Sequence, residues 1–155
     1  MNRSRLLFVC LGNICRSPIA EGVFASVAAQ SGNGGLFELD SAGTGAWHIG
    51  NPPDPRAIAA AARRGIDLSG QRARQVRARD FSDFDLLLAM DMDNQAELLS
   101  LAPGEHRGKV RLFLDDAPQL GSSEVPDPYY GGEHGFEEVL DLVEAGSRAL
   151  LARLC

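Results

Sequence analysis

The segment that most restricts what this chain can become is its first buried-looking run, Leu6-Leu7-Phe8-Val9-Cys10, together with the turn into which it leads. An unbroken apolar run of that length reads as a strand covered on both faces, which is the habit of parallel sheets rather than of antiparallel ones. It passes at once into Cys10-Leu11-Gly12-Asn13-Ile14-Cys15-Arg16-Ser17-Pro18, where Ser17 reads as a helix N-cap and Pro18 as the first helical residue. Helical spacing then continues through Ile19, Val23 and Val27 to Gln30, and Gly32-Asn33-Gly34-Gly35 ends it. Further strands are expected at Leu36–Leu39, Phe84–Met90 and Val110–Leu114. Helices are expected from a cap at Asp54 through Arg64, at Asn94–Leu101, and at about His134–Leu154. Alternating strands and helices give βαβ units, hence an α/β, three-layer fold with a parallel sheet and helices on both faces. Such folds bind ligands outside the carboxyl ends of their strands, so the turn after Val9 is where a site is expected.

That turn has the parts of an oxyanion cradle. A short loop from strand to helix can wrap its N–H groups around one anion, with the helix adding positive dipole. Gly12 and Asn13 are residue types that tolerate left-handed backbone, and Arg16 can give two parallel hydrogen bonds to phosphate oxygens. The same field favours the thiolate of Cys10, which is the nucleophilic form, and Ser17 can donate to the sulfur when it leaves. Downstream, Pro126-Asp127-Pro128 holds a carboxyl between two residues of fixed φ, either as an Asx turn or as a proton donor.

Composition narrows the rest. The 155 residues suit one domain spanning 1–155, with a core large enough to need no staple. No apolar run reaches the ~20 residues of a membrane span, and Leu6–Leu11 is too short for a signal peptide. Three cysteines, an odd number, point to reduced thiols in the cytoplasm. A formal charge of −6 disfavours nucleic acid as partner. The three histidines, His48, His106 and His134, and the cysteines lack metal-site spacing, so neither metal nor other cofactor is expected. Asp91-Met92-Asp93 is only faintly similar to the magnesium-dependent aspartyl-phosphate pattern, because Gln95 stands where Thr or Val belongs; Asp91 is expected to cap a helix or brace a loop. Six arginines between Arg63 and Arg79 form either a solvated face or a rim that attracts phosphoproteins.

The segment Val9–Glu21 resembles the signature of the low-molecular-weight protein tyrosine phosphatases. Asp40-Ser41-Ala42-Gly43-Thr44, Gly50-Asn51-Pro52-Pro53-Asp54, Ala73-Arg74-Gln75 and Asp127-Pro128-Tyr129-Tyr130-Gly131 agree with that family in order. The resemblance implies a four-stranded parallel sheet with a phosphate-binding loop, Leu11 to Ser17, after the first strand. It also implies metal-free hydrolysis of phosphotyrosine in proteins, and of aryl phosphomonoesters, through a cysteinyl-phosphate. Cys10 would be the nucleophile, Arg16 the phosphate clamp and Asp127 the general acid and base. Inorganic phosphate and other oxyanions would bind there too. Trp47, Tyr129 and Tyr130 would form aromatic walls fitting a phenyl ring, and Ile14 is similar to tyrosine-specific members, whereas arginine-specific relatives have threonine. Cys15 would form a reversible disulfide with Cys10 that shields it from over-oxidation. Asn13, Ser17 and Ser41 would support the loop, with Gln71 where many members place a histidine. The implied state is a monomer or weak dimer.

Two rivals are weaker. An arsenate reductase on this fold needs redox cysteines in mid-chain, and none lies between Cys15 and Cys155. A phosphotyrosine-binding module would need neither Cys10 nor Asp127.

Overall fold

The computed structural model describes residues 3–129 and 131–155. Strand β1 (Ser4–Cys10) lies inside the sheet, between β2 (Phe37–Gly43) and β3 (Leu86–Ala89), and β4 (Val110–Leu112) pairs with β3. All three pairings are parallel, in the order β2-β1-β3-β4. The chain therefore leaves β1 to one side for β2 and returns to the other for β3. That reversal opens a crevice at the carboxyl end of β1, beside Cys10.

Alternation along β1 divides the core into two halves. Leu6, Phe8 and Cys10 face the larger cluster, which includes Ile19 and Phe24 of α1 (Arg16–Gln30), Ala57 and Ala60 of α2 (Pro55–Ala62), and Phe136, Val139 and Val143 of α5 (Glu133–Leu154). Leu7 and Val9 face the smaller one, with Phe81 of α3 (Asp80–Asp83) and Leu98 of α4 (Met92–Leu101). Both faces of the sheet are thus covered, which is why β1 carries no polar residue after Arg5.

Several expected boundaries move. Helix α1 begins at Arg16, one residue before the expected cap, and no side chain caps it. Ser17 lies inside the first turn with its hydroxyl on Cys10, and Pro18 is tolerated because an N–H in the first turn has no helical partner anyway. Helix α2 ends at Ala62, two residues short of the expected end at Arg64, although Asp54 does cap it, accepting the Arg56 N–H at 2.8 Å. The expected fourth strand stops at Leu112 and turns into a 3₁₀ segment at Phe113–Asp116. Helix α3 is an element that the sequence does not announce, since it is too short to show a helical period. No helix among the described residues is long and apolar enough to cross a membrane.

Candidate active site

The loop after β1 is held from outside before it is held from within. The carbonyls of Cys10, Leu11 and Ile14 accept from Thr44, Gly45 and Asp54 N–H groups at 2.9, 2.9 and 2.8 Å. Those carbonyls therefore turn away from the sulfur. Gly43 makes the close approach possible: a Cβ there would stand 2.8 Å from the Leu11 carbonyl oxygen and 3.2 Å from the Asn13 nitrogen. Asn13 takes the left-handed conformation, at φ 59°, alone among described non-glycine residues. Gly12 does not share it. Its bare Cα instead lets the His48 ring lie against the loop, with Cδ2 3.0 Å from where a Cβ would be.

The direction of each hydrogen bond around Cys10 is set by donor chemistry. The Arg74 N–H can only donate, and it donates to Asn13 Oδ1 at 3.0 Å, which fixes the amide with its NH₂ inward. Asn13 Nδ2 then donates to Ser17 Oγ at 2.8 Å and to Ser41 Oγ at 2.9 Å. Both hydroxyls accept, so the proton of Ser17 is left for Cys10 Sγ, 3.1 Å away, and the Asn13 N–H reaches the same sulfur at 3.3 Å. The same reasoning runs outward. Gln71 Nε2 donates to the Pro18 carbonyl at 3.0 Å, which turns its Oε1 to the Ser41 hydroxyl at 3.4 Å. Gln71 thus occupies the expected supporting position as an uncharged amide.

Arg16 is 3% exposed, and its guanidinium spans the crevice. It donates to Asp91 Oδ2 at 2.6 Å and to the Val125 carbonyl at 3.2 Å, and its other amino group lies 3.5 Å from Asp127 Oδ2. Burial works against its charge, but Cys10, Asp91 and Asp127 outweigh that and push its pKa above the ordinary guanidinium value. Arg16 therefore stays a cation. Asp91 also caps α4, accepting the Asn94 N–H at 2.7 Å. Capping is legible in the sequence; the pairing with a residue 75 positions earlier is not.

Asp127 accepts the Tyr129 N–H on Oδ1 at 3.0 Å and turns Oδ2 to Arg16, so the Asx turn and the site-facing carboxyl coexist. Cys10, Cys15, Arg16, Trp47, Asp127 and Tyr129 share one open cavity of about 330 Å³, whose wall also includes Leu11, Gly12, Ile14 and His48. The His48 and Tyr129 rings are 6.4 Å apart, inclined at 45°. Sequence reasoning misses His48, because a lone histidine beside Trp47 carries no spacing signal. Tyr130 lies outside the described residues. All three cysteines are free thiols: Cys15 is buried, its pKa pushed up by that burial and by Asp54, while Cys155 is exposed and remote. Among the described residues no group of three metal-ligating side chains is placed to hold an ion. The arginines from Arg63 to Arg79 do not line this cavity. Arg64 pairs with Asp141 and Glu144, Arg74 with Asp40 and Asp80, and Arg79 with Asp83.

A strand-to-helix loop after the first strand of a small parallel sheet, with a buried arginine facing a cysteine and a carboxyl, is an arrangement suited to oxyanion chemistry in an α/β enzyme. Comparison with known proteins narrows the class. The model of the low molecular weight phosphotyrosine protein phosphatase family matches residues 5–155. A low molecular weight protein-tyrosine-phosphatase of Streptomyces coelicolor is 50% identical, over 96% of this chain and 92% of its own length. The crystal structure of YfkJ from Bacillus subtilis superposes with a TM-score of 0.93 at 44% identity, covering 99% of this chain and 96% of YfkJ. A protein tyrosine phosphatase from Entamoeba histolytica, crystallised with Hepes in its active site, gives 0.94 at 41% identity, covering 97% and 96%. The chain belongs to the low molecular weight phosphotyrosine protein phosphatases and is an enzyme of that hydrolase family.

Proposed function

We propose that this enzyme hydrolyses phosphotyrosine in proteins, and aryl phosphomonoesters generally, through a cysteinyl-phosphate formed on Cys10. The observation that carries this reading is the position of Cys10 Sγ. Cys10 is 2% exposed and lines the cavity, with the Ser17 hydroxyl and Asn13 N–H on its sulfur and the buried Arg16 cation lining the same cavity. The thiolate attacks phosphorus, an S–P bond forms, and the P–O bond to the tyrosine ring breaks. Asp127 delivers the proton that the departing phenolate needs. Water then attacks phosphorus, Asp127 takes its proton, and the S–P bond breaks to return thiolate and inorganic phosphate. The Ser17 proton steadies sulfur each time it carries charge. Arg16 and the loop N–H groups hold the oxygens of the transferring group throughout, where preorganised donors act most strongly. Before substrate arrives, Asp91 keeps that guanidinium in place.

The aromatic walls supplied by Trp47 and Tyr129 fit a ring standing above the phosphate, and the three free thiols fit a reducing cytoplasm. Cys15 would condense with a Cys10 sulfenic acid, releasing water and leaving a reducible disulfide. Hydrolysis of para-nitrophenyl phosphate in excess EDTA tests the central reading. Full turnover is expected, and its abolition in Cys10→Ser with phosphate binding retained. Activity that appears only on adding magnesium, or that survives in Cys10→Ser, would overturn it.

A further inference from the structure

Large apolar side chains exposed to solvent are few in this molecule and are not scattered. Among the described residues they are Leu11, Trp47, Ile49, Met92, Leu101 and Tyr129. Single exposed apolar residues need no explanation, but a grouping around a cavity does. Leu11, Trp47 and Tyr129 line the mouth. Ile49, 58% exposed, comes directly after His48, which also lines it. Met92, equally exposed, comes directly after the Asp91 that holds Arg16, and its N–H donates at 2.8 Å to Glu124, three residues before Asp127. Only Leu101, at the far end of α4, lies outside this pattern.

We infer that this apolar rim is a docking surface for the polypeptide on either side of the phosphotyrosine, and that it favours apolar flanking residues over acidic ones. The inference rests on the phosphotyrosine reading above, because a tyrosine ring held in the cavity necessarily lays its neighbouring residues on the mouth. Charge supports the same choice. The charged residue types exposed along the Met92 side are acidic, Asp93 and Glu124. The nearest cation on the Tyr129 side, Arg56, is bound to Asp54 through two nitrogens. None of the six arginines between Arg63 and Arg79 lines the cavity, and Arg64, Arg74 and Arg79 are held in ion pairs with carboxylates. An acidic flank would meet like charge, while an apolar flank would cover Ile49 and Met92 and remove them from water.

The test uses three phosphotyrosine peptides that differ only in the residues flanking the phosphotyrosine: leucines, Gly and Ser, or glutamates. They are assayed on the parent enzyme and on an Ile49→Gln/Met92→Gln variant. Both residues are exposed and outside the reacting set, and thermal melting confirms that the variant is folded. The leucine peptide should exceed the Gly/Ser peptide in kcat/KM by about fivefold, mainly through KM, and the glutamate peptide should be slowest. The variant should level the leucine and Gly/Ser peptides while leaving para-nitrophenyl phosphate kinetics unchanged. Equal rates for those two peptides on the parent, the fastest rate with glutamates, or a preference that survives in the variant would each overturn the rim. If para-nitrophenyl phosphate is itself not hydrolysed, the phosphatase reading fails instead. Sedimentation at assay concentrations adds one more arm: self-association that the variant abolishes would assign the surface to a second copy of the chain and overturn its role in substrate docking.

Discussion

Gly45 carries no side chain, and the Trp47 indole occupies the space one would need: a Cβ built there overlaps the six-membered ring. The indole is 73% exposed, so nothing packs over its outer face, and the bare backbone of Gly45 supports the inner one. Gly45→Ala should therefore dislodge the wall without touching the cradle. KM for aryl phosphates is expected to rise about three- to tenfold, the range of a lost aromatic contact, with kcat nearly unchanged. Trp47 is the chain's single tryptophan, so its emission maximum and anisotropy report the displacement directly. An unshifted spectrum would show that the indole is seated by something else. At this scale the sequence is legible wherever chemistry sits at fixed spacing, as from Cys10 to Arg16. It is silent where function depends on what a residue lacks, as at Gly45, or on a partner far along the chain, as for Asp91.

Helix α2 does more than cover the sheet. Its cap, Asp54, donates its N–H to the Ile14 carbonyl of the phosphate loop at 2.8 Å and grips Arg56 with both carboxylate oxygens, at 3.0 and 2.9 Å. Arg56 in turn donates to the carbonyls of Tyr129 at 2.9 Å and Gly131 at 3.3 Å, just beyond Asp127, and its guanidinium lies over the Tyr129 and Phe136 rings. One turn of helix thus joins the loop after β1 to the loop that carries Asp127. Arg56→Ala should loosen the second loop and leave the first. At about 1 kcal/mol net per hydrogen bond, losing two lowers kcat by about tenfold or more for aryl phosphates with poor leaving groups, and far less for activated esters. A uniform loss across leaving groups would place the defect elsewhere. The strands and main helices here are readable from their apolar periods. The start of α1 is not, because Ser17 has the chemistry of a cap but binds the sulfur of Cys10 instead, a choice fixed by tertiary contacts that no local pattern records.

Across the whole molecule, the polar network behind the cradle has a measurable cost in stability. Glu21 lies in the first half of α1, where burial raises its carboxyl pKa to about 7; Asp40 adds to the rise, and Ser41 and Arg74 oppose it. Because the folded state holds this proton more tightly than the unfolded chain, the contribution to stability is greatest below about pH 4.5. It falls as pH rises toward 7 and is flat beyond. Glu21→Gln, which removes the titration, should gain stability relative to the parent at pH 8 and show no such gain at pH 4.5. Chemical denaturation at the two pH values measures the difference, and a gain independent of pH would assign the effect to packing. The fold class needs only the order of strands and helices, but this titration is not legible, since Glu21 reads in sequence as an ordinary helix residue.

Strand β1 pairs along its whole length with β2 and over four residues with β3, and it ends on Cys10, the proposed nucleophile. The Cys10 sulfur is therefore fastened to a strand paired on both sides, inside the sheet. The sulfur itself cannot fray while β1 stays paired on both sides, whatever the segments that carry Trp47 and Asp127 do. Substitutions that weaken the core will then change how many molecules are active at a given moment rather than how fast each one works.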